Sequence, residues 1–173
     1  MRRTSFENAD SSMARSLEIV GDWWTLLIVR DAFMGVRRFD DFQEHLGIAR
    51  NILAARIRRL VDFGILERQL YQIKPNRYEY LLTESGKDLK VVLFAIKQWG
   101  DSHLYEGTGH PLSIAHKDCG SEISVDIVCP KCKEVLSDDD EKLDWIPGAG
   151  MSDKDKRVYT QFRANSYFEL NHS

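Results

Sequence analysis

The sequence predicts a mainly α-helical domain with one small β hairpin, followed by a small β-rich appendage, and three features support this prediction. A basic stretch with helical periodicity ends at Gly64, and Gly47 separates it from a shorter helical stretch. Two short runs rich in β-forming residues then flank a basic loop, which predicts a hairpin. One histidine and three cysteines in closely spaced pairs follow. The first two features are in the order expected of a winged helix-turn-helix, whose second helix enters the major groove of DNA.

The N-terminal part of the chain predicts two helices that form a platform for the rest of the domain. Met13, Leu17 and Val20 recur at helical spacing. Residues 23–34 are a second, mostly apolar stretch that ends at Gly35. A helix that is apolar on nearly every side has to be buried.

A helix-turn-helix is predicted between residues 39 and 63. Phe39, Phe42 and Leu46 stand at i, i+3 and i+7, which indicates a short helix that ends at Gly47. The next helix, about residues 49–63, has an apolar stripe of three residues, Leu53, Ile57 and Leu60.

The opposite face of that second helix carries small residues, an amide and guanidinium groups, namely Asn51, Ala54, Ala55, Arg58 and Arg59, and Arg50 stands near its first turn. Base recognition uses these side chains, because arginine pairs with guanine, asparagine with adenine, and alanine contacts the thymine methyl group. A solvated, salt-bridged surface is the alternative, but the position between the turn and the wing favours DNA. Arg56 lies at the edge of the apolar stripe and is interpreted as an intramolecular clamp.

Two strands, Ile65 to Leu70 and Arg77 to Leu82, are predicted to form the wing, with residues 72–76 at its tip. Lys74 and Arg77 can neutralise phosphates as the wing follows the DNA backbone. The remaining candidate DNA contacts precede the helix-turn-helix and are Arg37 and Arg38.

After the wing, Thr83 is predicted to cap one long amphipathic helix. Its apolar face has five members, Leu89, Val92, Leu93, Ile96 and Trp99. A long amphipathic helix in this place is a candidate dimerisation element.

Charge is unevenly distributed along the chain. The formal net charge of −3 over 173 residues argues against a DNA-binding protein at first sight. Between residues 36 and 77, however, nine cations stand against five anions, whereas from residue 111 onward twelve acidic residues stand against eight basic ones. The acidic C-terminal part therefore masks a basic patch.

The cysteines and one histidine form an H-x2-C pair and a C-x2-C pair separated by nine residues: His116 and Cys119, then Cys129 and Cys132. This spacing is typical of a zinc ribbon, and residues 121–128 alternate in polarity as a hairpin strand would. Metal is favoured over cystine because a cytosolic chain rarely keeps structural disulfides. Four protein ligands would make the zinc structural. A redox-active Cys129/Cys132 pair and an eroded or unoccupied site remain open.

Seven spaced motifs run in order through the first hundred residues: 21–30, 37–42, 48–53, 56–57, 64–66, 78–83 and Gly86. Together they resemble the HxlR family of MarR-like winged-helix transcriptional regulators. The resemblance implies a homodimer held by the first and last helices and bound to an inverted-repeat operator, with one recognition helix and one wing per protomer. Redox-sensing members carry a cysteine about where Ser11 stands. A serine cannot form a thiolate or a disulfide, so that switch is not expected here.

The predicted organisation is an HxlR-type winged-helix DNA-binding and dimerisation domain at 1–110, a zinc-ribbon-like segment at 111–150 and a C-terminal tail at 151–173. The sequence has no run of about 18 apolar residues and no signal peptide, so a cytoplasmic protein is expected. It has no glycine-rich phosphate loop or nucleophile elbow, so an enzyme is not expected. The predicted function is sequence-specific transcription regulation. A winged-helix protein-interaction module and a regulator that responds to redox state or metal through Cys129/Cys132 are the alternatives, and a small-molecule effector is left open.

Overall fold

The computed structural model of the protein describes residues 5–105, 109–136, 143, 146, 148–153, 155–158 and 160. The chain divides into two compact units, one formed by Met1–Glu18 with Asp138–Ser173 and the other by Ile19–Ser137. The domain boundaries expected near residues 110 and 150 stay predictions. Within the described residues, every helix is too short or too polar to cross a membrane.

The described elements follow one another as α1 (Ser12–Val20), α2 (Trp23–Phe33), α3 (Phe39–Leu46), α4 (Arg50–Asp62), β1 (Leu66–Ile73), β2 (Asn76–Leu82), α5 (Glu84–Asp88), α6 (Lys90–Leu104), β3 (Ile127–Val128) and β4 (Val135–Leu136). Strands β1 and β2 form one antiparallel hairpin, and β3 and β4 form another. The predicted fold class, mainly helical with a small β wing, is confirmed.

The hydrophobic core lies where α2, α3, α4 and β1 meet. Phe42, Leu53, Ile57 and Leu60 stand on the apolar stripes that the sequence predicted and are buried here, together with Ile28 and Val29 of the predicted apolar helix and Leu66 of β1. Trp24, Leu89 and Leu93 are partly buried and pack against this cluster. The core thus fixes α4 on its inner side and leaves its opposite side free for contacts outside the domain.

The turn between α3 and α4 depends on Gly47. This residue caps α3 in the left-handed conformation, with φ of 62°, and its N–H donates to the carbonyl of Gln43. Glycine adopts this conformation at little cost, whereas most side chains do not. The predicted turn of the helix-turn-helix is confirmed.

Arg56 is the intramolecular clamp that the sequence predicted. Its Nε and Nη2 donate to the two carboxylate oxygens of Asp22 at 2.9 and 2.8 Å. Asp22 also caps α2, because its side chain accepts a hydrogen bond from the N–H of Trp24. One carboxylate therefore joins the start of α2 to the middle of α4.

The wing is longer than predicted, and the five-residue tip was wrong. Ile73 pairs with Asn76, so the ladder continues to a two-residue connection of Lys74 and Pro75, which are joined by a cis peptide bond. The register shifts between Leu70 and Gln72, where an irregularity lets the strand continue past its predicted end.

The helical region after the wing is broken into α5 and α6, so the single long helix was wrong. Thr83 caps α5 as predicted, by accepting from the N–H of Gly86 at 3.1 Å. A Cβ on Gly86 would lie 2.2 Å from the carbonyl oxygen of Ile65, so only glycine fits this close approach. At Leu89 the N–H bonds back to Gly86, a three-residue spacing that tightens and ends the short helix.

The apolar face of α6 is only partly used within the protomer. Leu93 packs against the core, but Val92, Ile96 and Trp99 remain 43%, 51% and 59% exposed. The outer part of the predicted stripe is therefore an apolar strip on the surface of this unit.

The segment that carries the cysteines has little regular structure. The strand expected over 121–128 was wrong: only Ile127–Val128 is a strand, and Glu122 makes an isolated bridge to Ala115. Two tight turns flank these residues. In the first, Gly120 N–H donates to the carbonyl of His116, and in the second, Lys133 N–H donates to that of Cys129.

Candidate nucleic-acid interface

The outer face of α4 presents the side chains that the sequence proposed for base contact. Asn51, Ala55 and Arg58 are exposed, while Ala54 and Arg59 are half-buried. The helix is held from behind by its fully buried leucines, so this face has a fixed orientation relative to the core. An amide, a small residue and a guanidinium on one rigid helix can match the edges of bases in a major groove.

A cavity of about 430 Å³ separates α4 from the wing. Ala54 and Arg58 line it from α4, and Arg68 and Tyr80, which are paired across the hairpin, line it from the wing. The Arg68 guanidinium stacks over the ring of Tyr78, 4.1 Å from its centroid. Arg68 is one of the nine cations between residues 36 and 77, but it is not among the DNA contacts predicted from the sequence. Its position across the cavity from α4 makes it a further candidate for DNA contact.

Three further arginines line a second cavity of about 470 Å³ between α3, the start of α4 and the wing: Arg38, Arg50 and Arg77. Arg50 donates to Asp40 at 3.1 Å and lies 4.7 Å over the Phe39 ring. These contacts hold the Arg50 guanidinium in place while its side chain stays 68% exposed.

The residues before α3 are tied to the wing. Tyr80 N–H donates to the carbonyl of Arg37 at 2.8 Å. Arg38 makes an ion pair with Glu79 at 3.5 Å and stacks over Tyr71. The two arginines thus belong to the same basic surface as the hairpin, although sequence spacing gave no sign of this pairing.

The other predicted contacts divide by position. Lys74 is exposed at the wing tip and Arg77 is exposed beside it on β2. Arg59 stacks over the ring of Phe63 with 5.1 Å to the centroid, near the C-terminal end of α4. That contact holds Arg59 against its own helix and makes it a weaker candidate for base contact than Arg58.

A buried carboxylate that is not among the predicted site residues connects α2 to α3. Asp31 is fully buried. One of its carboxylate oxygens accepts a hydrogen bond from Nη2 of Arg30 at 2.7 Å, and the other lies 2.7 Å from Nδ1 of His45. The spacing of residues around His45 indicates no partner for it, and its pairing with Asp31 joins α2 to α3. The signal available was an Arg-Asp pair inside a helix predicted to be buried, since a buried charge needs a partner.

The first Cys/His pair is held together within one tight turn. His116 Nδ1 lies 3.3 Å from Sγ of Cys119. A backbone hydrogen bond from Ser121, then the Ser121 side chain and His116, lower the pKa of the Cys119 thiol to about 7. The second pair resembles it, because the backbone of Cys132 lowers the pKa of the Cys129 thiol. A lowered pKa favours the thiolate, which is the form that binds metal.

The two pairs are formed locally but are not gathered into one site. Among the described residues, which include all four candidate ligands, no three His, Cys, Asp or Glu side chains lie together in a metal-binding cluster. The chemistry of the donors fits zinc, whereas their assembly into a four-ligand site is not observed. The zinc site therefore stays a prediction.

Comparison with known proteins agrees with the fold. The profile of the HxlR-like helix-turn-helix family matches residues 19–108. The HTH-type transcriptional regulator Rv3095 of Mycobacterium tuberculosis, itself uncharacterized, is 43% identical over 73% of this chain and 80% of its own length. Two solved structures are similar as well. PA1607, a candidate transcription factor, gives a TM-score of 0.73 at 35% identity over 83% of this chain and 100% of its own.

The second structure is PA1374 from Pseudomonas aeruginosa, also a candidate transcription factor, with a TM-score of 0.60 at 38% identity over 83% of this chain and 97% of its own. Both likenesses extend over more of the chain than the family profile, which covers 90 of 173 residues. The chain belongs to the HxlR-like helix-turn-helix family and is a transcriptional regulator, not an enzyme.

Proposed function

We propose that the protein regulates transcription by binding a specific inverted repeat of duplex DNA as a homodimer. The observation that carries this proposal is the outer face of α4, where Asn51 and Arg58 stand exposed on a helix whose other side is locked into the core. A rigid helix with an amide and a guanidinium on its free face suits base-edge recognition in the major groove.

The proposed contacts are of two kinds: some recognise bases and others bind the phosphates of the DNA backbone. Asn51 and Arg58 read bases, and Ala54 and Ala55 leave room for the groove floor. The exposed cations of the wing, Lys74 and Arg77, neutralise phosphates beside the recognition helix. Arg50 is already oriented by Asp40, and Arg38 by Glu79. Each therefore loses less side-chain entropy when it contacts a phosphate.

The exposed apolar strip of α6 supports the dimer. Val92, Ile96 and Trp99 form a contiguous helical stripe, and surfaces of this kind usually mark an interaction site. A two-fold dimer places two copies of α4 on one face of the duplex only if the half-sites are about 10 base pairs apart, or a multiple of that. The operator should therefore be a palindrome with this spacing.

Affinity selection of the purified protein on random duplex DNA tests the proposal. We expect enrichment of one inverted repeat, with affinity that falls steeply as salt rises and a preference of about 10³-fold or more over random duplex. A protein-interaction module would bind acidic partners through the same basic face but would enrich no sequence. The absence of an enriched motif, with the fold intact, would therefore favour that alternative.

We also propose that His116, Cys119, Cys129 and Cys132 hold a structural zinc ion. The lowered pKa of the Cys119 and Cys129 thiols and the matching tight turns of the two pairs support it. The same thiolate character would serve a redox-responsive pair, so the two alternatives share their chemistry. Elemental analysis and a count of free thiols separate them. One zinc per chain that is lost on Cys129→Ser supports the metal site. A metal-free protein that forms a Cys129–Cys132 disulfide supports the redox-responsive pair.

A further inference from the structure

An apolar cavity is lined by residues other than the proposed DNA contacts. It has a volume of about 550 Å³ and opens between α2, α6 and the segment 111–114. Its walls are mainly the side chains of Leu26, Leu27, Phe33, Leu93 and Phe94, together with Ile96, which also belongs to the apolar strip of α6. A volume between about 300 and 1,000 Å³ with mostly apolar walls is typical of sites for small organic molecules.

Two cations stand in the walls of this apolar cavity. Arg30 lines it from α2, and Lys97 and Asp101 line it from α6, while Asp31, the ion-pair partner of Arg30, is fully buried and is not among the lining residues. Asp101 is paired with Lys97 one turn along the helix. A mainly apolar cavity with few charged groups orients a ligand through those groups, so their sign indicates the ligand's polar end.

Both cations keep hydrogen-bond donors for a ligand. The bonds of Arg30 to Asp31 use its Nε and Nη2, and both go to the same carboxylate oxygen. A guanidinium has five N–H donors and an ammonium three, so each cation can serve a further acceptor. The Arg30 side chain is also 43% exposed, which leaves it accessible from the cavity.

We propose that this cavity binds a small amphipathic monocarboxylate, whose apolar or aromatic body fills the leucine and phenylalanine walls and whose carboxylate contacts Arg30 and Lys97. The apolar walls supply the hydrophobic part of the affinity, and the two cations select an anionic end. The proposal concerns a site apart from the DNA surface, and it does not depend on the operator or on the zinc.

The position of Arg30 connects this site to the helix-turn-helix. Arg30 is bound to the buried Asp31, and Asp31 in turn is bound to His45 on α3. The carboxylate of a ligand that contacts Arg30 is therefore connected through Asp31 to His45 on α3, the first helix of the DNA-binding motif.

Isothermal titration calorimetry of the full chain with 2-naphthoate tests the proposal, and the uncharged 2-naphthamide is the matched probe. We expect saturable binding with one site per chain, and at least about tenfold weaker binding of the amide. Undetectable binding of 2-naphthoate, as expected if a second copy of the chain fills the cavity, or equal affinity for acid and amide would overturn the proposal.

Two variants locate the binding. Gly100 lines the cavity, and a Cβ there would meet only Leu104 Cδ1, at an ordinary 3.8 Å, so Gly100→Leu should fold and narrow the cavity. We expect this variant to lose 2-naphthoate binding while it keeps its thermal midpoint. Lys97→Gln should weaken the acid but not the amide. The control Lys87→Gln removes a lysine that is paired with a carboxylate on α5, outside the cavity, and should leave the affinity unchanged. Wild-type affinity in Gly100→Leu would place the binding elsewhere and overturn the proposal.

Discussion

The winged-helix region and the cysteine segment of the same compact unit differ in what holds them together. Between α2 and β1 the fold is built around fully buried side chains such as Phe42 and Leu53. In the described residues from 109 to 136 every side chain is half-buried or exposed, and the only strands are two residues long. A segment without a core needs cross-links or a metal to hold one structure, whereas the helical region needs only its packing.

The largest expected effect is in the core. Leu53→Ala should lower the free energy of unfolding by about 3–5 kcal/mol, because the removed side chain is fully buried between α2, α3 and α4. Leu112→Ala is the matched control in the cysteine segment, where the side chain is 53% exposed, and it should cost less than about 1 kcal/mol. Chemical denaturation measures both. Equal losses would mean that the segment has a core of its own.

The next effect concerns the ion pair between Arg30 and the buried Asp31, which also contacts His45 on α3. Asp31→Asn should lower the free energy of unfolding by about 2–3 kcal/mol, because the neutral amide no longer balances the Arg30 guanidinium and replaces one of the two carboxylate oxygens that Arg30 and His45 contact. Glu84→Gln removes a carboxylate from an exposed pair with Lys87 and should leave the unfolding midpoint unchanged. Thermal denaturation followed by circular dichroism measures both variants. A wild-type midpoint for Asp31→Asn would show that this pair does not stabilise the packing of α2 on α3.

Metal removal should affect only the cysteine segment. If zinc holds it, a chelator or Cys129→Ser should speed proteolytic cleavage within residues 111–136, while the free energy of unfolding of the helical region stays within about 0.5 kcal/mol of wild type. Ser124→Ala, which changes a hydroxyl in the same segment, is the control. Mass spectrometry of the fragments locates the cuts. Cleavage that is insensitive to chelation would remove the structural role of zinc.

The smallest effect is expected at the wing tip. Lys74 is exposed on the two-residue connection of the hairpin, so Lys74→Ala should weaken binding to all duplexes alike and lower the slope of log affinity against log salt by about 1. Lys90→Ala, an exposed lysine at the start of α6, should leave the slope unchanged. Fluorescence anisotropy at several salt concentrations measures the slopes. A change in base preference for Lys74→Ala would contradict its assignment to the phosphates.

The helical region could be predicted because burial imposes a period on the sequence. Phe42, Leu53 and Ile57 stood on the predicted stripes and are buried. Arg56 could be assigned to a clamp because it stood at the edge of its stripe, although its partner Asp22, 34 residues away, could not be identified.

Where the structure differs from the sequence-based predictions, the deciding interaction lies outside the local sequence pattern. The pairing of Ile73 with Asn76 shortened the wing connection, and the hydrogen bond from the Leu89 N–H back to Gly86 ended α5 before α6 begins. The buried Asp31 depends on His45, 14 residues along the chain, and no local period reports such a pair. In the cysteine segment alternation predicted a strand that is not formed. Alternation predicts a strand only where one face is buried, and no side chain of this segment is.

The most direct test of the account is affinity selection on random duplex DNA, done in parallel with the wild-type protein, Asn51→Ala and Lys74→Ala. We expect the wild type and Lys74→Ala to enrich the same inverted repeat, with lower overall recovery for Lys74→Ala. Asn51→Ala should lose preference at one base pair in each half-site, because it removes an amide from the exposed face of α4. Identical sequence profiles for all three proteins would contradict the claim that this face of α4 reads the bases.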